Sequence, residues 1–251
     1  MDTFIEKIKK QGCVEIPLNV SYNITFNQSF YPNMPTVTYS DCDNKIYLRG
    51  DEIGIEGFYL SAVIWKPGDI SLYHTTKCQD FISFDFDGCV MASFDIGNEH
   101  YAAHIQRGAP DCTEEWIDFL TKNRKSIKNL VMFRPDFEKM RSVRNSLTEP
   151  NSAWLWGLIT PNRTCYSICV SGEENLLGGY STKNKFSLAF IEIHQTPFQI
   201  DAYNSIIQPT GDPKVAWDSF FKAMSVREIH TTPFVDINAP RSQNRQGFSC
   251  C

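Results

Sequence analysis

The chain has 251 residues, of which 42% are hydrophobic and 21% are charged, as is typical of one soluble globular domain with a full core. Its formal net charge of −5 disfavours a nucleic-acid partner, because such proteins need a basic face. The apolar runs are too short to cross a bilayer, so we expect no membrane span.

The nine cysteines are odd in number and irregular in spacing. The N-terminal segment reads as a short amphipathic helix without the apolar centre of an export signal, so we expect most thiols to be reduced. Cys165 and Cys169 are four residues apart, but no second pair follows at the spacing of zinc ligands. The cysteine spacing therefore predicts no zinc site.

The first predicted element is a helix over residues 2–11, with Phe4, Ile5 and Ile8 on one face. Residues 13–35 are rich in Asn, Ser and Pro, and we expect no regular structure there. Strands follow up to Ile105, predicted from short β-branched or aromatic runs between turn-forming residues. They are 36–39, 45–49, 57–65, 81–86, 90–94 and 101–105.

A second predicted helix follows Asp111, which can cap it, and Glu114 completes a capping box. Trp116, Phe119 and Leu120 form the apolar stripe of this helix.

The rest of the chain continues the alternation of strands and helices. Strands are predicted at 130–133, 153–159, 164–170 and 186–194, and helices at 134–146 and after Asp212. The pattern indicates an α+β fold, a mostly antiparallel, β-sandwich-like core with outer helices. We expect one catalytic domain over 1–237 and a disordered polar tail over 238–251.

The most informative segment is a predicted hairpin around Gly97-Asn98, a dipeptide suited to a two-residue turn. This turn places Met91 opposite His104. Because side chains alternate along a strand, Cys89 shares the face of Met91 and becomes the diagonal neighbour of His104. His100 falls on the same face but opposite Asp95, which places it about 20 Å along the strand from Cys89.

A thiol next to an imidazole is the arrangement of a cysteine nucleophile with its base, because the imidazole raises the thiolate fraction. Gly88 allows the backbone to approach closely where amide groups must stabilise an oxyanion. The same spacing also fits a buried core cysteine, Cys89, beside a hydrogen-bonded strand histidine, His104. Spacing alone leaves both interpretations open.

The run 81–89, followed by His104-Ile105, resembles the nucleophile region of a family of toxins. These are the glutamine deamidases that include the Burkholderia lethal factor and the cytotoxic necrotizing factors, and the resemblance covers most of residues 1–201. The family's Gly-Cys motif and its downstream histidine correspond to Cys89 and His104. A hydroxyl residue six positions before the cysteine corresponds to Ser83.

The resemblance implies that Cys89 attacks a glutamine side-chain amide of a host protein. His104 then protonates the departing ammonia, and water hydrolyses the thioester to glutamate. Ser83 would orient His104 by its hydroxyl or its backbone carbonyl. The implied protein is a monomer without metal or cofactor, made in a bacterial cytoplasm, secreted or delivered, and active in the host cytosol.

Strand alternation through this run places Ser83, Asp85 and Asp87 on one face, turned toward Cys89. Phe84 and Phe86 are then expected on the opposite face.

Two other classes of function compete with deamidation. A cysteine protease or a transglutaminase-like acyl transferase would use the same pair of residues on another substrate. A non-catalytic binding module on the same fold is favoured by Asp87 and Ser83, which replace the serine and threonine of the toxins. The remaining histidines, His74, His194 and His230, are expected on the surface or as hydrogen-bonded strand residues.

Overall fold

The computed structural model describes residues 3–17, 37–38, 46–106, 110–123, 125–136, 153–172, 183–194 and 198–199. These residues form two helices, α1 (Phe4–Gln11) and α2 (Pro110–Lys122), and fourteen strands. The strands of the first half are β1 (Cys13–Pro17), β2 (Val37–Thr38), β3 (Ile46–Leu48), β4 (Gly50–Ile55), β5 (Phe58–Val63), β6 (Ile70–Thr75) and β7 (Phe81–Ser83). Those of the second half are β8 (Val90–Ile96), β9 (Glu99–Ile105), β10 (Ile127–Phe133), β11 (Ala153–Ile159), β12 (Cys165–Gly172), β13 (Lys183–His194) and β14 (Phe198–Gln199).

The strands form two seven-stranded sheets. Sheet A has the order β1-β13-β12-β11-β7-β5-β4, and sheet B has the order β14-β10-β8-β9-β6-β3-β2. Both sheets are mixed, since β5 pairs with β7 and β3 pairs with β6 in parallel. The fold is thus mostly β with two helices, and the expectation of a mostly antiparallel core misses one parallel pair in each sheet.

Each sheet has an outer face that packs on a helix and an inner face that contributes to a shared core. Phe4 and Ile8 of α1 pack with Trp156 on sheet A, whereas Trp116 of α2 packs with Phe94 on sheet B. A third cluster contains residues of both sheets, including Met91 and Phe133 of sheet B and Leu155 and Phe190 of sheet A. The inner faces of the sheets therefore share one apolar core.

Helix α1 agrees with its prediction, and the three residues expected on its apolar face are buried. Thr3 accepts a hydrogen bond from the Glu6 backbone while the Glu6 carboxylate accepts one from Thr3, which forms a capping box. Gly12 ends the helix in the left-handed region, at φ 67°.

Helix α2 begins two residues earlier than expected. Pro110 is its first residue, a position at which proline is favoured because its missing N–H would have had no helical partner. Asp111 is therefore inside the helix, and the prediction that it precedes the first turn as a cap is wrong. The predicted apolar stripe is confirmed, because Trp116, Phe119 and Leu120 are all buried.

Four of the described strands were not predicted from the sequence: β1, β4, β6 and β14. Strand β1 lies in a segment predicted to be irregular, and it forms by pairing with β13. Strand β4 contains two glycines and two acidic residues, and it forms through an antiparallel hairpin with β5. For β1 and β4, pairing with a neighbouring strand outweighs weak local propensity.

Other predictions fall wholly or partly outside the described residues. Residues 134–136, the start of the predicted helix 134–146, are not helical. The remainder of that helix, the helix after Asp212 and the tail 238–251 lie outside the described part. Within the described part, no helix is long and apolar enough to span a bilayer.

The chain passes from sheet B to sheet A at Arg49-Gly50, between β3 and β4. Arg49 bridges the two sheets, donating its backbone N–H to Leu72 O at 2.7 Å and accepting a hydrogen bond from Ile64 N at 3.2 Å. A Cβ on Gly50 would lie 2.4 Å from Ala62 O and 2.5 Å from Tyr73 Cδ2. The corner therefore has no room for a side chain.

We predict that Gly50→Ala lowers the free energy of unfolding by about 1–3 kcal/mol, because the new methyl group overlaps a backbone carbonyl that cannot move away. Gly54→Ala is the matched control in the same strand, since a Cβ there meets nothing within 4 Å. Urea unfolding followed by tryptophan fluorescence measures both variants. Equal stability of the two would contradict the close approach at the corner.

Candidate active site

The predicted hairpin is present with the expected register. Strands β8 and β9 pair with Met91 opposite His104 and with Asp95 opposite His100. Gly97 adopts φ 62° in the turn, a conformation that glycine tolerates without strain. The register and the face of His104 are therefore confirmed.

The side chain of His104 lies in the shared core, fully buried, and meets Ser83 of the other sheet. Ser83 Oγ is 2.8 Å from His104 Nδ1 and donates its own hydrogen to Val63 O at 2.7 Å. A serine hydroxyl has one hydrogen and a carbonyl can only accept. Since the serine hydrogen is used on Val63 O, the Ser83–His104 hydrogen bond forms only when Nδ1 carries a hydrogen and donates it to Ser83 Oγ.

This tautomer leaves the lone pair of His104 on Nε2. Among the described residues, Nε2 has no hydrogen-bond partner. Burial lowers the pKa of the imidazole to about 3, because the charged form would lose its hydration. His104 is therefore neutral at physiological pH and has the form that a general base requires.

Two aromatic rings lie close to the imidazole. The ring of Phe86 stacks on His104 with centroids 4.0 Å apart and planes only 3° from parallel. The indole of Trp65 is also close, with ring centroids 6.0 Å apart and a tilt of 34°. The imidazole thus has a defined orientation as well as a defined tautomer.

The position of Phe86 overturns the expected alternation after Ser83. Strand β7 ends at Ser83, and Asp85 adopts the left-handed φ of 57°. This residue reverses the alternation, so Phe86 turns inward to His104 while Phe84 packs in the outer core of sheet A with Trp156. Asp87 is exposed.

Cys89 lies one residue before the start of β8 and is 5% exposed. It packs in the shared core with Met91 and Phe86, on the side of the sheet that carries His104. The structure does not join its thiol to His104 Nε2 by a hydrogen bond, since Nε2 has no partner. Catalytic hydrogen bonds are often long in a protein without substrate.

Gly88 precedes Cys89 with φ 89°, a conformation that favours glycine. The buried carboxylate of Asp136 is near, with Oδ2 3.9 Å from the place that a Cβ on Gly88 would occupy. Sequence reasoning missed Asp136, because it lies outside every predicted strand.

His100 belongs to a separate polar cluster at the turn end of the hairpin. Its Nδ1 is 2.7 Å from Asp95 Oδ1, and Asp95 also accepts hydrogen bonds from Asn129 and Arg163. Burial alone would raise the pKa of Asp95, but these three hydrogen bonds outweigh it and hold the pKa below its ordinary value. Arg163 comes from the turn between β11 and β12, so the cluster ties sheet A to sheet B.

A second buried serine–histidine pair was not singled out from the sequence. Ser167 Oγ is 2.6 Å from His194 Nε2, and Glu192 faces Ser167 across the β12–β13 pair. All three residues are buried. His194 thus agrees with the expectation of a hydrogen-bonded strand histidine, and the polar residues at alternate positions of two apolar strands could have indicated the cluster.

Of the other histidines, His74 lies 3.3 Å from Glu99 with its Nδ1 and is partly exposed, whereas His230 lies outside the described residues. Five of the described cysteines are not disulfide-bonded: Cys78, Cys89, Cys112, Cys165 and Cys169. Cys13 is disulfide-bonded. Over the described ranges, no three His, Cys, Asp or Glu side chains are grouped so that they could hold a metal ion.

No protein family matches the sequence, and no curated protein matches it either.

The buried imidazole makes the stability of the protein depend on pH. Because burial lowers the pKa of His104 from 6.5 to about 3, the unfolded chain takes up this proton first as the pH falls. The contribution of His104 is therefore complete above pH 6.5 and is lost toward pH 3. Lowering the pH from 7 to 5 should therefore reduce the free energy of unfolding by about 2 kcal/mol through His104.

We predict that His104→Gln removes the pH dependence due to this imidazole. Between pH 7 and pH 5 the free energy of unfolding should then fall by about 2 kcal/mol less in the variant than in the wild type. Urea titrations at both pH values measure the difference. Burial raises the pKa of Asp80 to about 6 and acts in the opposite direction, but equally in both proteins. His100→Gln is the control, and an unchanged pH dependence in His104→Gln would contradict the assignment.

Proposed function

We propose that the protein is a cysteine-dependent protein-glutamine deamidase with Cys89 as nucleophile and His104 as base. The observation that carries this proposal is the state of His104: its Nδ1 is engaged by Ser83, and its Nε2 has no hydrogen-bond partner among the described residues. Cys89 belongs to the same core cluster as Phe86, the ring that stacks on this imidazole. A nucleophile, a base and a group that orients the base are the parts that acyl transfer requires.

In the proposed reaction, Nε2 of His104 takes the proton of the Cys89 thiol as the sulfur attacks the side-chain amide carbon of a glutamine. The proton then moves from Nε2 to the amide nitrogen, the carbon–nitrogen bond breaks, and ammonia leaves. Water attacks the thioester while Nε2 accepts its proton, and this proton returns to the sulfur as glutamate departs. All atoms and protons balance without a further reactant.

Burial imposes an order on these transfers. An imidazolium in this apolar surrounding is costly by itself, as the lowered pKa of His104 shows. A thiolate or an oxyanion next to the imidazolium offsets that cost, because opposite charges stabilise each other strongly in a low dielectric. His104 therefore holds the proton only while a negative charge is beside it.

The substrate and setting follow from the same proposal. The substrate is a host protein that presents a glutamine side chain, and the enzyme is a monomer delivered by a bacterium to the host cytosol. The resemblance of residues 81–89 and His104 to the nucleophile region of the deamidase toxins supports this proposal.

A non-catalytic binding module is the second candidate, and the burial of the site favours it. His104 has no exposed surface and Cys89 is 5% exposed. Catalysis requires the side chains that cover these two residues to move and admit a glutamine. Two outcomes distinguish the functions: modification of a host protein that disappears in Cys89→Ser supports the enzyme, whereas binding to a host protein without modification supports the binding module.

The direct test is incubation of a host-cell lysate with the protein, followed by peptide mass spectrometry. Deamidation converts a glutamine to a glutamate at a specific site. Cleaved peptides would instead indicate a protease, and cross-linked peptides a transglutaminase-like enzyme. No modification above the level of an inactive variant would overturn the proposal.

We predict that Cys89→Ser abolishes deamidation and leaves the fold intact, since the hydroxyl has a similar volume but is a far weaker nucleophile. Cys78→Ser is the control, because Cys78 is an exposed free thiol away from the site. The rate of glutamate formation and the circular dichroism spectrum measure activity and folding. Full activity of Cys89→Ser would show that another residue is the nucleophile.

We predict that Ser83→Ala lowers kcat by about 10- to 100-fold, because Nδ1 loses the acceptor that fixes the tautomer and the orientation of His104. Ser83→Thr should retain most activity, since threonine preserves both the donor and the acceptor. Steady-state kinetics of both folded variants decide this. Equal activity of alanine and serine at this position would remove the hydroxyl from the mechanism.

A further inference from the structure

We propose that Phe86 is a positioning residue that fixes the plane of the His104 imidazole, and that Gly157 provides the space in which the Phe86 ring lies. The catalytic consequence rests on the proposed function, whereas the structural part does not.

A hydrogen bond to one ring atom does not determine where the rest of an imidazole points. Ser83 fixes Nδ1, but the ring can still rotate about the axis of that bond. The face of Phe86 lies 4.0 Å away and is parallel to within 3°, which fixes the plane of the imidazole. Ser83 and Phe86 together therefore determine the direction of the Nε2 lone pair, to which the proton of Cys89 must pass.

The backbone places Phe86 in this position through two local features. Asp85 is left-handed, with φ 57°, and it reverses the alternation of side chains after β7. The N–H of Phe86 then donates to Leu155 O at 2.9 Å, which anchors the segment to β11. Non-glycine residues with this conformation are uncommon and tend to occur at functional sites.

Gly157 completes the arrangement, because it lies directly opposite Ser83 in the β7–β11 pair. A Cβ at this position would be 3.0 Å from Phe86 Cε2, 2.8 Å from Met91 Sδ and 2.8 Å from Pro135 Cγ. Real Cβ atoms essentially never lie closer than 3.0 Å to such a neighbour, so a side chain at position 157 would force the Met91 and Pro135 side chains to shift. A glycine is therefore needed at position 157. The space beside Ser83 that a side chain would fill is occupied by the Phe86 ring, which stacks on His104.

The test compares Phe86→Leu with Phe84→Leu. Phe84 is the matched control, since it is buried two residues away but packs edge-on against Trp156 at 5.4 Å, on the other face of the sheet. The readout is the NMR signal of a carbon-bound ring proton of His104. This signal is assigned by its loss in His104→Gln. A proton over an aromatic face is shifted upfield, so Phe86→Leu should move this signal downfield and Phe84→Leu should leave it in place.

Kinetics supply the second readout. Phe86→Leu should lower kcat by about 10- to 100-fold with little change in KM, as expected when a base is misplaced rather than when substrate binding is lost. Gly157→Ala should shift the same NMR signal, because the new methyl group pushes on the Phe86 ring.

The outcomes separate this inference from the proposed function. If Phe86→Leu shifts the His104 signal no more than Phe84→Leu does, the positioning role is wrong, whatever the activity. If the signal shifts but the wild-type protein deamidates no host protein, the positioning role stands and the deamidase proposal fails. Should Gly157→Ala not fold, the comparison of the two phenylalanine variants still decides.

Discussion

The hydrogen bond between His104 and Ser83 is the contact on which the geometry of the candidate site depends, because it crosses between the two sheets inside their shared core. Neither residue has access to water, so losing the partner would leave a buried polar group unpaired at a cost of about 1–3 kcal/mol. The bond forms only if the β8–β9 register turns His104 into the core and the three-residue strand β7 turns Ser83 into the core as well. A slip of one residue in either would turn one partner out of the core.

Polar residues on the inner face of sheet A form a row across neighbouring strands. Ser83 is opposite Gly157, Gly157 is opposite Ser167, and Ser167 is opposite Glu192. Burying such groups costs free energy that an apolar core would not, and hydrogen bonds recover only part of it. The row therefore contributes little to stability. Two of its serines hold buried histidines by hydrogen bonds: Ser83 holds His104, and Ser167 holds His194.

The sequence predicted the parts of the site that depend on local rules. The Gly97-Asn98 turn determines the hairpin register, and strand alternation then places His104 on the inner face. The same alternation failed for Phe86, because a single left-handed residue, Asp85, inverts it and no pattern of hydrophobicity marks that residue. The stacking of Phe86 on His104 depends on two sheets meeting, which is a tertiary contact that spacing along one chain does not encode.

Burial of the site has two consequences that oppose each other, and the tautomer of His104 reconciles them. The apolar surroundings keep the imidazole neutral, which a base needs, but they also make the charged intermediate costly. In the proposed reaction, Nδ1 already carries its hydrogen, so a proton from Cys89 can enter only at Nε2 and can leave only from Nε2. The proposed base is thus restricted to one atom, and its positive charge would form only where a negative charge on sulfur or oxygen arises beside it. A site of this kind holds no ion pair at rest and creates one only when a substrate is in place.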